Sequence, residues 1–157
     1  PCMQGAMAPE WNGAARAVFY GLTLAHTRAH MTRALLEGSA YALRDILEAM
    51  KGAGLDVRRL TMVGGGAKGA LWRQIKADVT GLPVRVPTSV ETTATGAAVL
   101  AAVAAGVFGS VAEAVTALVS YEPDETVPDP ERSAAYEDAY RRYRDLYFAL
   151  KPVFERG

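Results

Sequence analysis

The chain of 157 residues carries 17 basic and 17 acidic side chains, and half of its residues are hydrophobic. A net charge of zero argues against a protein that attracts nucleic acid or an anionic membrane electrostatically. The length suits one domain, and no apolar run approaches the roughly 18 residues that span a bilayer. The single cysteine, Cys2, excludes an internal disulfide and fits the reducing cytoplasm.

The first third of the sequence predicts a loop followed by helices. Residues 1–12 have the composition of a loop, and Asn12 is placed to cap a short helix over residues 13–20. A long helix is predicted over about residues 26–50, and Gly52 and Gly54 end it. Its expected buried stripe consists of apolar and small residues at helical spacing: Met31, Ala34, Leu35, Gly38, Ala42, Ile46 and Ala49.

The middle of the chain alternates strands with helices. Strands are predicted over residues 59–63 and 83–87, and a helix over residues 68–80 lies between them. This order indicates an α/β fold, rich in helices, with a short parallel strand pair. Because two strands do not make a stable sheet, and because Pro1 falls in what resembles the middle of a loop, we expect a segment of a longer protein.

The last third is predicted to be helical. Helices are expected over residues 94–105 and 111–119, followed by an exposed, proline-rich connector at 121–130 and a C-terminal helix at about 131–155. The last helix carries an apolar seam: Tyr136, Tyr140, Tyr143, Tyr147, Leu150 and Phe154. Packing of this seam within the domain is favoured over a non-catalytic interaction surface for a partner or for a homodimer.

Three adjacent glycines follow the first predicted strand. Without a Cβ, their backbone can adopt positive φ and let a ligand approach, and the next helix directs N–H groups and a positive dipole end there. The candidate ligand-binding residues are Gly64, Gly65, Gly66, Ala67, Lys68 and Gly69. A phosphate or a nucleotide is the expected ligand, although a plain β–α turn fits the local sequence equally well. Trp72 is placed either to line one side of a site for adenine or to pack in the core.

Two further patterns leave alternatives open. Residues 64–69 satisfy G-x-G-x-x-G, and Glu91 is the candidate ribose-binding acid of an NAD(P)-binding Rossmann module, although it lies well past the second strand. His26 and His30 have the spacing of two metal ligands, but no third ligand is evident, so polar helix packing is favoured. The sequence shows no nucleophile–base pair or paired carboxylates, so we assign neither a catalytic residue nor a metal ligand.

Three segments, in this order, resemble motifs of the FGGY family of carbohydrate kinases. Residues 17–38 are similar to the family's second signature, which ends in the pair Glu37-Gly38. Residues 64–75 resemble its adenosine motif, and their sequence is most similar to that of the family's xylulokinases. Residues 91–98 resemble the start of the family's next helix. Together the matches cover about residues 5–108.

The resemblance implies an actin-like, ribonuclease-H-like ATPase fold, of which residues 1–157 form the C-terminal, nucleotide-side portion. It implies that the γ-phosphate of ATP, with Mg²⁺, is transferred to a hydroxyl of a sugar or polyol, D-xylulose being favoured. Gly64 to Lys68 would line the nucleotide with backbone N–H groups. The partner would be the N-terminal kinase domain, which would hold the catalytic aspartate and the sugar-binding residues.

The sequence departs from the family pattern at two places. Residues 5–9 are Gly-Ala-Met-Ala-Pro, where the family usually has Gly-Glu-Arg-x-Pro, so that loop lacks an acid and a base. Gly69 stands where a serine often follows the lysine, so one hydroxyl near the nucleotide is absent. The first departure affects substrate identity or activity, and the second affects the nucleotide contacts.

Overall fold

The computed structural model describes residues 1–89 and 91–156. Within these residues the chain forms five α-helices and two short strands: α1 (Arg28–Gly52), β1 (Leu60–Thr61), α2 (Ala70–Thr80), β2 (Val84–Arg85), α3 (Thr92–Ala104), α4 (Val111–Leu118) and α5 (Pro130–Phe154). A short 3-10 helix, Gly65–Lys68, lies between β1 and α2. Across the described ranges, no helix is both long and apolar enough to cross a bilayer.

The two strands are parallel, as predicted, and Leu60 lies opposite Val84. The segment 121–130 is not simply the exposed connector that its prolines predicted. Thr126 and Val84 exchange both backbone hydrogen bonds, at 2.8 and 2.9 Å, so part of this segment runs antiparallel beside β2. The pairing satisfies backbone groups on an edge of β2 that would otherwise lack partners.

The predicted long helix is present as α1, but its buried face differs from the predicted stripe. The buried residues are Gly38, Ala40 and Tyr41, in the middle of the helix, whereas Met31 and Leu35 are exposed. The stripe was wrong over the first two turns and at Ala49, which is also exposed, because α2 and α5 pack mainly on the middle of α1. Helical periodicity identifies an apolar face but not how much of its length a neighbour covers.

The larger core cluster lies between α1, α2 and α5. Its buried members are Ala40, Tyr41, Ile75, Val79, Tyr136 and Tyr140. The buried tyrosines also find hydrogen-bond partners, since Tyr136 donates to Glu37 at 2.9 Å and Tyr140 donates to Asp45 at 2.7 Å. The prediction that the tyrosine seam of α5 packs on its own domain is therefore confirmed.

A second buried cluster joins the strand pair to α2. It consists of Met62, Ala67, Ala77, Val84 and Val86. Beyond it, α3 packs on α4, and the predicted cap of α4 is observed, since Ser110 Oγ accepts from the Glu113 N–H at 3.1 Å. Trp72, which supports the β1–α2 turn, packs against this second cluster.

The short helix predicted over residues 13–20 is absent. Asn12 Oδ1 accepts from the Ala14 N–H at 3.0 Å and closes a local turn, after which residues 15–20 have no regular structure. Val18, Phe19 and Tyr20 are exposed and Ala15 alone of residues 13–20 is buried, so little packing stabilises a helix here. Eight residues are too few to form a stable helix in water on propensity alone.

Alkaline pH is expected to destabilise this fold through Tyr140. Burial, together with the hydrogen bond to Asp45, raises the pKa of Tyr140 to about 12. A tyrosine in an unfolded chain has a pKa of about 10, so this contribution to stability is complete below that pH. Between about pH 10 and 12 the unfolded state releases the proton first, and the stability falls by up to about 1.4 kcal/mol per pH unit.

Urea unfolding at about pH 9 and about pH 11 measures this loss. The Tyr140→Phe variant removes one titrating group, so its stability should fall less steeply between the two pH values. An identical fall in the variant and the parent would show that Tyr140 does not contribute.

Candidate functional site

Residues 64–69 form the turn that follows β1, and we call them the glycine turn. The Met62 N–H donates to the Arg85 carbonyl at 2.9 Å, so pairing with β2 continues almost to the turn. Gly65–Lys68 form the 3-10 helix, and Gly69 has extended backbone (φ −85°, ψ 102°). Because Gly69 separates the two helices, α2 begins at Ala70 rather than at residue 68.

The fold requires a glycine at two of the three central positions, and the reason differs between them. Gly64 has a φ of 74°, a conformation that other residues adopt only with strain. A Cβ on Gly66 would lie 2.6 Å from Cζ3 of Trp72, so packing excludes a larger residue there. Gly65 has neither constraint, since its φ is not positive and a Cβ would meet no atom within 4 Å. The fold does not require a glycine at 65, which is consistent with space kept for a ligand.

The glycine turn also presents free backbone donors. Gly65 and Gly66 are the first two residues of the 3-10 helix, so their N–H groups have no intrahelical acceptor. Within the described part of the chain they have no other acceptor either. Gly65 is exposed, so its N–H and its open face are accessible to a ligand from solvent.

Trp72 supports the glycine turn from below. Its Nε1 donates to Ser39 Oγ at 3.0 Å, which ties the indole to α1, and the ring packs against Gly66. Lys76 Nζ lies 4.6 Å from the centroid of the same ring. Trp72 is therefore held as packing beneath the turn, which is the second of the two roles predicted for it.

The far end of the glycine turn is anchored by Arg73. Ala67 is fully buried, and its carbonyl accepts from Arg73 Nη1 at 3.0 Å. The same guanidinium lies 3.4 Å from Glu122 in the segment beside β2. Lys68, by contrast, is exposed and forms no ion pair with another described residue. Its ammonium remains available for an anionic ligand.

His30 belongs to the capping box of α1, and His26 closes a turn just before that helix. His26 Nδ1 accepts from the Thr23 N–H at 3.0 Å, and His30 Nδ1 accepts from the Thr27 N–H at 3.1 Å. The rings meet edge to face, with centroids 5.4 Å apart. In the described part of the chain no three His, Cys, Asp or Glu residues cluster as metal ligands would. The favoured interpretation, polar packing on one helical face, was wrong for His26, which lies before α1, and both histidines are exposed.

Glu91 is exposed and stands at the N-cap of α3 without a capping hydrogen bond from its side chain. It follows β2 by six positions, beyond the strand end where a ribose-binding acid would be expected. The geometry gives the NAD(P) alternative no further support.

Sequence reasoning missed the residues that hold Trp72 and Ala67 in place. Ser39 comes from α1, and its hydroxyl gives no signal that it faces α2. Lys76 follows Trp72 by one helical turn, and this spacing is the one local signal of their contact. Arg73 is visible in the sequence as part of the resemblance, but its contact with a backbone carbonyl is not.

The fold and the glycine turn place this chain in a known class of proteins. The C-terminal domain of the FGGY family of carbohydrate kinases matches residues 1–105, and the chain belongs to this family. Its architecture is the helix-rich C-terminal part of the actin-like ATPase fold of these kinases. Family membership argues against the Rossmann alternative.

Individual members of the family are similar to this chain in sequence and in structure. The chain is 36% identical to the xylulose kinase of Escherichia coli K12 over 98% of its length and 31% of that protein. It is 41% identical to the glycerol kinase of Dechloromonas aromatica, over 95% of this chain and 30% of that protein. A ligand-bound xylulose kinase from Lactobacillus acidophilus superposes with a TM-score of 0.88, at 25% identity, over 99% of this chain and 31% of that one. The chain thus spans about a third of the length of these relatives.

Proposed function

We propose that this chain is the nucleotide-side portion of an ATP-dependent sugar kinase, which transfers the γ-phosphate of ATP to a hydroxyl of a sugar or polyol. The observation that carries the proposal is the open face of Gly65 beside two free N–H groups, in a chain of the carbohydrate kinase family. In this role residues 64–69 hold the nucleotide through backbone donors and small surfaces. They position it and do not react with it.

The chemistry of the reaction explains why these residues position the nucleotide and do not react with it. Phosphoryl transfer needs positioning and charge stabilisation more than covalent participation by the protein. The exposed Lys68 ammonium adds positive charge beside the turn. The described residues contain no cluster of carboxylates suited to Mg²⁺, so the metal would be held by the nucleotide phosphates and by protein groups outside this set. We assign the catalytic base to the same outside part of the kinase.

D-xylulose is the favoured substrate, and glycerol is the second candidate. The xylulose kinase of E. coli and a glycerol kinase both align with nearly the whole chain. The preference for D-xylulose rests on the resemblance of residues 64–75 to the xylulokinase motif and on the structural match with a xylulose kinase. The loop at residues 5–9 departs from the usual Gly-Glu-Arg-x-Pro, and Met7 in this loop is 74% exposed. A methionine there cannot provide the charge of an arginine, so we expect this loop to differ from its relatives in what it contacts.

The partner surface for the N-terminal kinase domain is proposed at residues 18–24 and the first turns of α1. Tyr20, Leu22 and Leu24 are exposed by half or more, and Met31 and Leu35 continue the apolar surface. Exposed apolar patches of this kind mark sites of protein contact. Such a contact would also explain why the first turns of α1 carry apolar residues that neither α2 nor α5 covers.

A fluorescence titration tests the nucleotide assignment. The chain has two tryptophans, so a Trp11→Phe variant leaves Trp72, beneath the glycine turn, as the reporter. ATP is expected to change its emission with weak affinity, and NADH is expected to bind less tightly than ATP. Tighter binding of NADH would overturn the kinase assignment in favour of a dinucleotide-binding module.

A second assay tests where the chemistry lies. The 157-residue chain, incubated with ATP and Mg²⁺, is expected to phosphorylate neither D-xylulose nor glycerol. Turnover of either substrate by this chain would show that a catalytic base lies within it.

A further inference from the structure

Lys76 lines an apolar cavity beneath the glycine turn. The cavity has a volume of about 350 Å³ and is lined by α1, β1, β2 and α2. Its walls are largely hydrophobic, including Leu43, Met62, Val63 and Val84. The Lys76 side chain is half-buried, and its Nζ lies over the Trp72 ring. An ammonium in such surroundings has lost much of its hydration.

No acid compensates for this loss. Among the described residues Lys76 forms no ion pair, and no other titratable side chain lines the cavity. Desolvation by burial lowers the pKa of Lys76. The Trp72 ring offsets part of this effect, because its face attracts the ammonium. The result is a lysine with an increased fraction of neutral, nucleophilic amine.

We propose that Lys76 is an acylation site, which takes acyl groups from activated donors of the acyl phosphate class. The Nζ lone pair attacks the carbonyl carbon, and a C–N amide bond forms. The C–O bond to phosphate breaks, phosphate leaves with the bonding electrons, and the proton of the amine passes to solvent. Nothing is oxidised or reduced, and the cavity is large enough for an acetyl group.

Acylation at this position would reach the glycine turn, a consequence that rests on the proposed function. An amide carries no charge, so the attraction between Lys76 and the Trp72 ring is lost. Trp72 packs against Gly66, and the indole would then be held by its bond to Ser39 and by packing without the ammonium, so its support of the turn is weakened. We expect the acylated protein to bind ATP severalfold more weakly than the unmodified protein.

The four lysines of the chain allow an internally controlled test: Lys51, Lys68, Lys76 and Lys151. The folded protein is incubated with acetyl phosphate over a range of pH, and the initial rate at each lysine is measured by peptide mass spectrometry. Lys51 and Lys68 are exposed and serve as references. The rate at Lys76 is expected to reach half of its maximum at a lower pH than the rates at both references, and to exceed them severalfold near neutral pH.

Two outcomes would overturn the proposal. One is a Lys76 profile that coincides with that of Lys51, and the other is modification of Lys76 only after unfolding in urea. The Lys76→Arg variant keeps the positive charge over Trp72 and cannot form this amide under the same conditions. After acetyl phosphate treatment it should therefore lose less ATP affinity than the parent, because acylation of Lys68 weakens binding in both proteins and acylation at position 76 weakens it only in the parent. Should the unmodified protein fail to bind ATP, the proposed function fails, and the lysine rates still decide the acylation site.

Discussion

Replacing Gly66 with alanine is expected to lower the free energy of unfolding by about 1–3 kcal/mol, the usual cost of overpacking a well-filled site. The new Cβ would lie 2.6 Å from Cζ3 of Trp72 and 3.0 Å from Cε3. The indole cannot move away freely, because Ser39 holds its Nε1. Urea unfolding monitored by circular dichroism measures the loss.

The Gly65→Ala variant is the matched control. Its Cβ would point into open space, and the backbone φ at 65 is one that alanine tolerates. Its stability should therefore equal that of the parent, while its affinity for ATP falls because the methyl group occupies the ligand face. Equal destabilisation by the two alanines would contradict the different roles that the geometry gives these glycines. Unchanged ATP affinity in Gly65→Ala would contradict a nucleotide at this face.

Replacing Asp78 with alanine is expected to cost about 2–3 kcal/mol of stability, since bonds to a buried carboxylate are strong and their donors are left unpaired. Asp78 is 3% exposed. Its Oδ1 accepts from the Asp129 N–H at 2.8 Å and from Gln74 Nε2 at 2.7 Å. The first of these bonds ties α2 to the N-cap of α5, so its loss loosens the packing of the C-terminal helix.

Two further variants make this prediction specific. Asp78→Asn retains one carbonyl oxygen as an acceptor and should lose less stability than Asp78→Ala. Asp138→Ala removes an exposed carboxylate paired with Arg141 on the surface of α5, and such pairs contribute little. A cost for Asp138→Ala as large as that for Asp78→Ala would mean that burial does not decide the effect.

The helices were predictable where local signals agree. Gly52 ends the observed α1, Ser110 caps α4, and the four-and-three spacing of the tyrosines predicts α5. Each of these signals acts over one or two turns, so a single sequence contains it. The two strands were predicted longer than they are. A regular strand needs a hydrogen-bonded neighbour, and only two residues of each strand pair within the sheet.

The incorrect predictions share a cause. In each case the element that packs on the segment, or pairs with it, is distant in sequence. The buried part of α1 is set by α2 and α5, and the pairing of Thr126 with Val84 joins residues far apart in the chain. Residues 13–20 have helical composition, but their large apolar side chains, Val18, Phe19 and Tyr20, have no surface to pack on. Periodicity reports what a segment can bury and does not report what covers it.

At the candidate site, too, the local features were predictable and the contacts between distant residues were not. The sequence identifies residues 64–69 as a glycine turn after a strand, and the resemblance points to a nucleotide. It does not distinguish Gly64, required by its φ, from Gly66, required by Trp72, or from Gly65, which the fold leaves free. That distinction depends on a tryptophan and a serine brought together from α2 and α1.

The most direct test of the central claim is a nuclear magnetic resonance titration of the ¹⁵N-labelled chain with ATP, with NADH in a parallel titration. Amide shifts detect weak binding and report its location. We predict that ATP shifts the N–H resonances of Gly65 and Gly66 first and most strongly, with smaller changes at Lys68 and at the Trp72 indole. Saturating ATP that leaves the glycine turn unchanged, or larger shifts there with NADH, would contradict the assignment of this turn to a kinase nucleotide site.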